Sequence, residues 1–165
     1  MERDKAEVKY FLLRLGVMLV VFWLLFGVVF GVTSMKDDSM SPKLEAGDLV
    51  LYYRLDKKPK DRSVVDIKKD GQQYIGRIVA RGGDTVDVTG DEGIYINGSR
   101  IVENDIYYRT PFYEGRVEYP VKLGEDEVFL LGDYREGAKD SRYFGPVKRG
   151  EIKGIVMTAV RRSEL

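Results

Sequence analysis

One long uncharged stretch near the N-terminus restricts the fold of this chain more than any other feature. Residues 15–32 (LGVMLVVFWLLFGVVFGV) run for eighteen residues without a charge and are rich in valine, leucine and phenylalanine. A helix needs about 20 apolar residues to span the hydrocarbon core of a bilayer, and residues 11–13 extend the run if Arg14 reaches toward the headgroups. We therefore expect a transmembrane anchor over residues 11–33.

Two alternatives to an anchor are a buried helix of a soluble protein and a cleaved signal peptide. A helix that is apolar on all faces over this length favours the membrane over a soluble core. The run is longer than the apolar region of a typical signal peptide, and residues 32–34 (VTS) are a poor substitute for an A-x-A-like cleavage site. We interpret the run as an anchor that is not cleaved.

The charges on the two sides of the anchor predict its orientation. Four basic residues precede or begin it: Arg3, Lys5, Lys9 and Arg14. After it, Lys36 is offset by Asp37 and Asp38. The positive-inside rule then makes residues 1–10 a cytoplasmic tail and places residues 34–165 outside the cell membrane as one extracellular domain.

Two missing residue types limit the chemistry of that domain. The chain has no cysteine and no histidine, and its formal net charge is zero. Disulfides, a thiol nucleophile, a Ser-His-Asp triad and an ordinary zinc site are therefore excluded, and we expect no metal, no cofactor and no nucleic-acid partner. A catalytic serine would need another base, for which lysine is the usual substitute.

Beyond the anchor, the pattern predicts a mainly antiparallel β domain. The expected strands are residues 47–53, 63–68, 73–80, 84–89, 94–96, 99–102, 128–131 and 152–161. Asp70 with Gly71, and Asn97 with Gly98, are typical of tight hairpin turns. Residues 103–126 predict a loop-rich insertion with short strands, and residues 135–142 predict a charged loop.

Four sequence blocks, in this order, resemble the type I signal peptidases, the family of S26-type Ser/Lys peptidases. The blocks are residues 38–42 (DSMSP), 76–84 (GRIVARGGD), 96–98 (ING) and 132–142 (GDYREGAKDSR). Each block alone is a weak signal, but the ordered set is specific and covers nearly the whole chain. The resemblance implies a membrane-anchored β protein that cleaves signal peptides from exported preproteins with a Ser/Lys dyad.

The resemblance assigns a role to each position in these blocks. Ser39 takes the position of the nucleophile, but Gly76 takes the position of the lysine, and Arg77 matches the arginine that follows that lysine. Ala138 stands where the family has a serine that hydrogen-bonds the lysine. Asp37 stands where some members supply an oxyanion-hole hydroxyl, and a carboxylate there would repel a developing oxyanion.

Other residues in the blocks are expected to be structural. Asp140 and Arg142, joined by Arg77 and flanked by Ser141, are expected to form an ion-pair network beneath the site. Four lysines are candidates for a substitute base but are expected to be solvated surface charges: Lys36, Lys68, Lys69 and Lys139. Arg77 cannot act as a base because guanidinium stays protonated.

Three hypotheses about function follow. The first is an active signal peptidase that uses Ser39 as its nucleophile. The second is a catalytically impaired binder or chaperone that resembles the accessory proteins of Gram-positive pilus assembly. This binder would act near membrane lipid on a preprotein signal peptide or a pilin-like extended segment, with a sortase as a further partner. The third is a membrane-anchored β domain of another role.

Overall fold

The apolar run forms one helix that stands apart from the rest of the chain. The computed structural model of the protein describes residues 2–89 and 93–161. Helix α1 covers Glu2–Trp23 and continues as a π-helical segment over Leu24–Val29. Lys5–Val29 is long and apolar enough to cross a membrane, with a mean hydropathy of 2.5, and its most apolar window buries nothing against the domain. These properties suit a lipid environment.

The helix ends earlier than the predicted anchor. Strand β1, Phe30–Ser34, pairs antiparallel with β2, Leu49–Tyr53, although its first residues belong to the uncharged run. The junction is fixed by the backbone N–H of Arg54, which donates to the carbonyl of Val29 at 2.9 Å. The boundary differs from residue 33 because pairing with β2 satisfies the backbone of these residues without a helix.

The domain is built from two antiparallel sheets, which confirms the predicted fold class. The remaining strands are β3 Val64–Lys69, β4 Gln72–Arg81, β5 Thr85–Val88, β6 Ile94–Ile96, β7 Ser99–Arg100, β8 Val121–Lys122, β9 Glu127–Leu131, β10 Val147–Lys148 and β11 Ile152–Val160. The larger sheet has the order β1-β2-β11-β3-β4-β9-β10, and the smaller has the order β7-β6-β5-β8. All pairings in both sheets are antiparallel.

The turns that the sequence predicts are present. Asp70 and Gly71 join β3 to β4 with φ angles of 50° and 78°, and Asn97 and Gly98 join β6 to β7 with φ angles of 53° and 78°. Positive φ at both central residues is what a type I′ turn requires. The charged loop differs in part from the prediction, because residues 141–144 form a short helix, α2, that begins at Ser141 after an Asp140 cap.

A small apolar cluster positions the segment that follows β1. Met35, Met40, Val50 and Ile75 pack together, and Met40 is completely buried. Met40 therefore attaches the turn that carries Ser39 to the inner face of the large sheet. This fixes where the neighbouring serine lies.

Candidate active site

Ser39 lies on a tight turn that is held to the end of β9. The side chain of Ser39 is half-buried, and the neighbouring Met40 is buried. The carbonyl of Ser39 accepts a hydrogen bond from the backbone N–H of Tyr134 at 3.0 Å, and Leu44 N–H donates to the carbonyl of Met40 at 3.1 Å. The serine is thus placed by backbone contacts on both sides of the turn, as a nucleophile on a rigid support would be.

Gly132 allows Ser39 and Ala138 to come together. A Cβ atom on Gly132 would lie 2.5 Å from the carbonyl oxygen of Ser39 and 2.3 Å from the Cβ of Ala138. Only a glycine fits at so close an approach. The structure therefore brings together two of the positions that the sequence assigns to the site.

Gly76 lies in the middle of β4, opposite Val65 of β3, and the space above it is filled. A Cβ atom at Gly76 would lie 2.4 Å from Cδ1 of Leu130 and 3.3 Å from the carbonyl oxygen of Leu131. Leu130 is completely buried. The position that the motif blocks assign to the lysine is thus closely packed by a buried apolar side chain, which the sequence did not reveal.

Two of the four lysines considered as substitute bases have partners elsewhere. Lys69 Nζ donates to the carboxylate of Glu151 at 3.2 Å, at the β10 end of the domain. Lys139 is exposed, and its ammonium lies 5.9 Å from the ring centre of Tyr74 and 5.1 Å from that of Tyr143. Both ammonium groups therefore have contacts of their own, with a carboxylate and with aromatic rings.

The other two lysines, Lys36 and Lys68, are exposed and line a cavity at the end of the sheet nearest the anchor. Lys36 also borders the narrow cleft between residues 34–37 and residues 73–75. Both side chains therefore lie on the surface, as expected for solvated charges.

Asp37 binds the amide group that an oxyanion would need. Its Oδ1 accepts a hydrogen bond from the backbone N–H of Ser39 at 3.0 Å. In serine peptidases the N–H of the nucleophile is one of the donors to the tetrahedral oxyanion. The Asp37 carboxylate therefore already accepts the hydrogen bond of the Ser39 N–H. The sequence also predicts that it would repel a developing oxyanion.

Asp140 supports the floor beneath Ser39 from the start of α2. It accepts two bonds from the Arg142 guanidinium, at 2.9 and 2.7 Å, and one from the backbone N–H of Gly132 at 3.0 Å. The hydroxyl of Ser141 accepts from the backbone N–H of Leu130 at 3.1 Å. These buried groups attach the helix to the end of β9.

The sequence suggests that Arg77 joins the ion pair of Asp140 and Arg142. In the structure Arg77 forms a separate ion pair. Its guanidinium donates to both carboxylate oxygens of Asp133, at 2.7 and 2.5 Å. Hydrogen bonding by Asp133 raises the pKa of Arg77. The reason for the difference is register, because Arg77 lies opposite Leu131 in the β4–β9 ladder, two residues before Asp133.

Two strand edges lie across the cleft from each other. In the described part of the chain, β1 pairs only with β2, and residues 34–37 continue it along one wall. On the other wall, β9 pairs with β4 from Arg77 onward, so residues 72–76 pair with β3 alone. The cleft itself has a volume of only about 10 Å³. It offers backbone groups rather than a preformed deep pocket.

Together, the apolar helix, the antiparallel β domain and the serine on its braced turn define a membrane-associated serine-peptidase scaffold. A sequence profile described as "Signal peptidase, peptidase S26" matches residues 8–160. The chain therefore belongs to the signal peptidase family S26, whose members are membrane-anchored and act on the signal peptides of preproteins.

Individual proteins and one solved structure are similar to the chain. The chain is 33% identical over 127 residues to a probable signal peptidase I-2 of Synechocystis, a match that covers 70% of this chain and 56% of that protein. It is 25% identical over 170 residues to signal peptidase IB of Staphylococcus aureus strain COL, covering 92% and 88%. A crystal structure of a signal peptidase I from Enterococcus faecalis V583 is 24% identical, with a TM-score of 0.49, covering 61% of this chain and 97% of that one.

Proposed function

We propose that the protein is a catalytically impaired signal-peptidase-family member that binds extended segments of exported proteins at the outer face of the cytoplasmic membrane. It serves as a binding or chaperone factor in the assembly of surface proteins or pili. The observation that carries this proposal is Gly76, which stands in the lysine position while Leu130 fills the space above it. No amine can reach that place without moving a buried leucine.

The remaining changes act on the same reaction step. A serine without a general base is a weak nucleophile at neutral pH, and such a base contributes roughly 10²- to 10⁴-fold to rate. Ala138 offers no hydroxyl to orient an amine, and Asp37 holds the Ser39 N–H that would stabilise the oxyanion. Losing one oxyanion donor costs roughly a further 10²- to 10³-fold. Turnover of a peptide bond would then be very slow.

Peptide binding does not need these groups. An extended segment in the cleft would pair with the free edge of β1 on one side and with residues 72–76 of β4 on the other. Main-chain hydrogen bonds supply affinity in this mode of recognition, and side-chain contacts supply selectivity. The segment would pass Ser39 whether or not it is cleaved. A preprotein signal peptide and a pilin-like segment are both of this kind, and a sortase is the expected neighbour in pilus assembly.

The first test measures binding and cleavage with the full chain in detergent micelles. A fluorescent peptide that spans a signal-peptide cleavage site is titrated against the wild type and Ser39→Ala, with anisotropy for binding and mass spectrometry for products. We expect equal binding by both proteins and cleavage by neither. The same peptide, N-methylated at alternate residues, is the control, and it should lose binding because it cannot form the strand ladder.

Cleavage by the wild type that disappears in Ser39→Ala would overturn the proposal. It would support the alternative, an active signal peptidase with Ser39 as nucleophile, for which the retained and half-exposed serine is the favourable observation. In cells, deletion should impair surface assembly, and a chromosomal Ser39→Ala copy should restore it as well as the wild-type gene does.

A further inference from the structure

A cavity of about 410 Å³ opens at the end of the large sheet nearest the anchor, apart from the Ser39 turn. It is lined by Val32, Thr33, Lys36, Tyr52, Arg54, Asp66, Lys68, Gly71, Gln73 and Lys153. This volume is in the range of sites that hold small ligands. The cavity lies close to the apolar helix, because the backbone N–H of its lining residue Arg54 donates to the carbonyl of Val29 at the end of that helix.

A buried carboxylate lies inside this cavity. Asp66 of β3 is only 1% exposed. Its Oδ1 accepts a hydrogen bond from Gln73 Nε2 at 2.9 Å, and Gln73 Nε2 also donates to the hydroxyl of Thr33 at 2.7 Å. Within the described part of the chain, the other oxygen, Oδ2, is buried without a hydrogen-bond partner. A buried acceptor without a donor is costly, so a ligand that donates there would be favoured.

The lining also carries four cations, contributed by different segments. They are Lys36 after β1, Arg54 after β2, Lys68 of β3 and Lys153 of β11. Burial raises the pKa of Asp66 to about 6, while Gln73 and three of these cations oppose the rise. The cavity therefore places one buried carboxyl group among four basic side chains.

This arrangement restricts the ligand. A simple anion would satisfy the cations but leave the Asp66 oxygen without a donor. A simple cation would meet Asp66 but be repelled by the four positive side chains. A ligand with a terminal ammonium and a phosphate two carbons away meets both demands, because the ammonium can enter first while the phosphate stays among the cations.

We propose that this cavity binds the phosphoethanolamine headgroup of a membrane phospholipid, with the ammonium donating to Asp66 and the phosphate held by Arg54 and Lys153. The lipid is favoured over a free phosphate ester because the cavity adjoins the end of the apolar helix, which is long enough to cross a membrane and would bring the cavity to the headgroups. The site would fix the height of the β domain above the bilayer. It rests on membrane anchoring and is independent of whether Ser39 is catalytic.

The test uses the full chain in detergent micelles and native mass spectrometry with dihexanoyl lipids. Phosphatidylethanolamine should bind at least about tenfold more tightly than phosphatidylcholine, whose quaternary ammonium has no N–H to donate, since a charge-assisted hydrogen bond is lost. Asp66→Asn should reduce this preference to within about twofold, and its melting temperature shows that it is folded. Arg54→Gln with Lys153→Gln should weaken both lipids roughly tenfold or more, since each cation contributes to phosphate binding.

Lys60→Gln is the matched control, because Lys60 is an exposed lysine on a loop that does not line the cavity, and it should change nothing. Three results would overturn the proposal. Phosphatidylglycerol that binds as tightly as phosphatidylethanolamine would indicate a general anionic-lipid surface. Soluble phosphoethanolamine of equal affinity would indicate a free ligand. A full ethanolamine preference in Asp66→Asn would exclude the carboxylate from recognition.

Discussion

A single methyl group added at Gly76 should destabilise the fold, because the space it needs is occupied. The new Cβ atom would lie 2.4 Å from Leu130 Cδ1, well inside an ordinary carbon contact of roughly 3.5–4.0 Å. Leu130 has little freedom to move, since it is fully buried in a cluster with Val65, Ile78 and Val147. Overpacking of this kind costs about 1–3 kcal/mol, which is the expected loss for Gly76→Ala.

A double-mutant cycle separates this contact from general strain. Leu130→Ala alone should cost about 2–5 kcal/mol because it leaves a cavity. In that background, Gly76→Ala should cost nothing or recover part of the loss, giving a coupling of about 1–3 kcal/mol. The assay is chemical unfolding of the full chain in micelles, followed by circular dichroism. Gly150→Ala is the control, because no atom lies within 4 Å of its added Cβ.

The same contact predicts how the dyad could be restored. Gly76→Lys with Ala138→Ser should remain inactive, or misfold, while Leu130 blocks the lysine stem. Adding Leu130→Ala should give cleavage of a signal-peptide substrate that depends on Ser39, because burial lowers the pKa of a lysine at this place. Additive stabilities in the cycle, or equal cleavage by the wild type and the triple variant, would refute the reasoning.

Three further changes have expected outcomes. Gly132→Ala should reduce the free energy of unfolding by about 3 kcal/mol or more, because its Cβ would lie 2.5 Å from the carbonyl oxygen of Ser39. A strongly lowered melting temperature would show this loss. Asp133→Ala should cost about 3–5 kcal/mol in chemical unfolding, since the buried guanidinium of Arg77 loses its carboxylate and keeps only the carbonyl of Arg62. For Asp66, burial raises the pKa from 3.8 to about 6, so the native state holds this proton more tightly than the unfolded chain. The stability gained from the protonated Asp66 carboxyl is fully present below pH 3.8 and is lost as the pH rises through about 6. Asp66→Asn should therefore exceed the wild type in stability above pH 7, by up to about 3 kcal/mol, and match it near pH 3, as melting temperatures across this range would show.

Local patterns in the sequence were sufficient for much of the β domain. The β3–β4 hairpin follows from Asp70 and Gly71, and the β6–β7 hairpin from Asn97 and Gly98, because the turn geometry depends only on those residues. Strand β1 was not predicted, because an apolar run reads equally well as helix or strand and its pairing with Leu49–Tyr53 is a non-local contact.

In the candidate site, too, the sequence predicts local features and misses contacts between distant segments. Ser39, Gly76, Ala138 and Asp37 could be assigned by position in the motif blocks. Leu130 could not, since its contact with Gly76 depends on the pairing of two strands distant in sequence. The partner of Arg77 was missed for the same reason. Which charges share a buried pair is decided by register, and register is not visible in a single strand.

Two kinds of feature in this domain differ in what they say about function: the buried ion pairs and the strand edges that pair on one side only. The buried pairs of Arg77 with Asp133 and of Arg142 with Asp140 would be kept for stability alone, because removing one partner of a buried pair is strongly destabilising. The edges of β1 and of residues 72–76 are different, since each pairs with one strand only in the described part of the chain and an unpaired edge invites aggregation. Two such edges on opposite walls of one cleft fit the extended segment that we propose this domain binds. Under that proposal, main-chain pairing supplies the affinity, and it does not depend on an amine at residue 76.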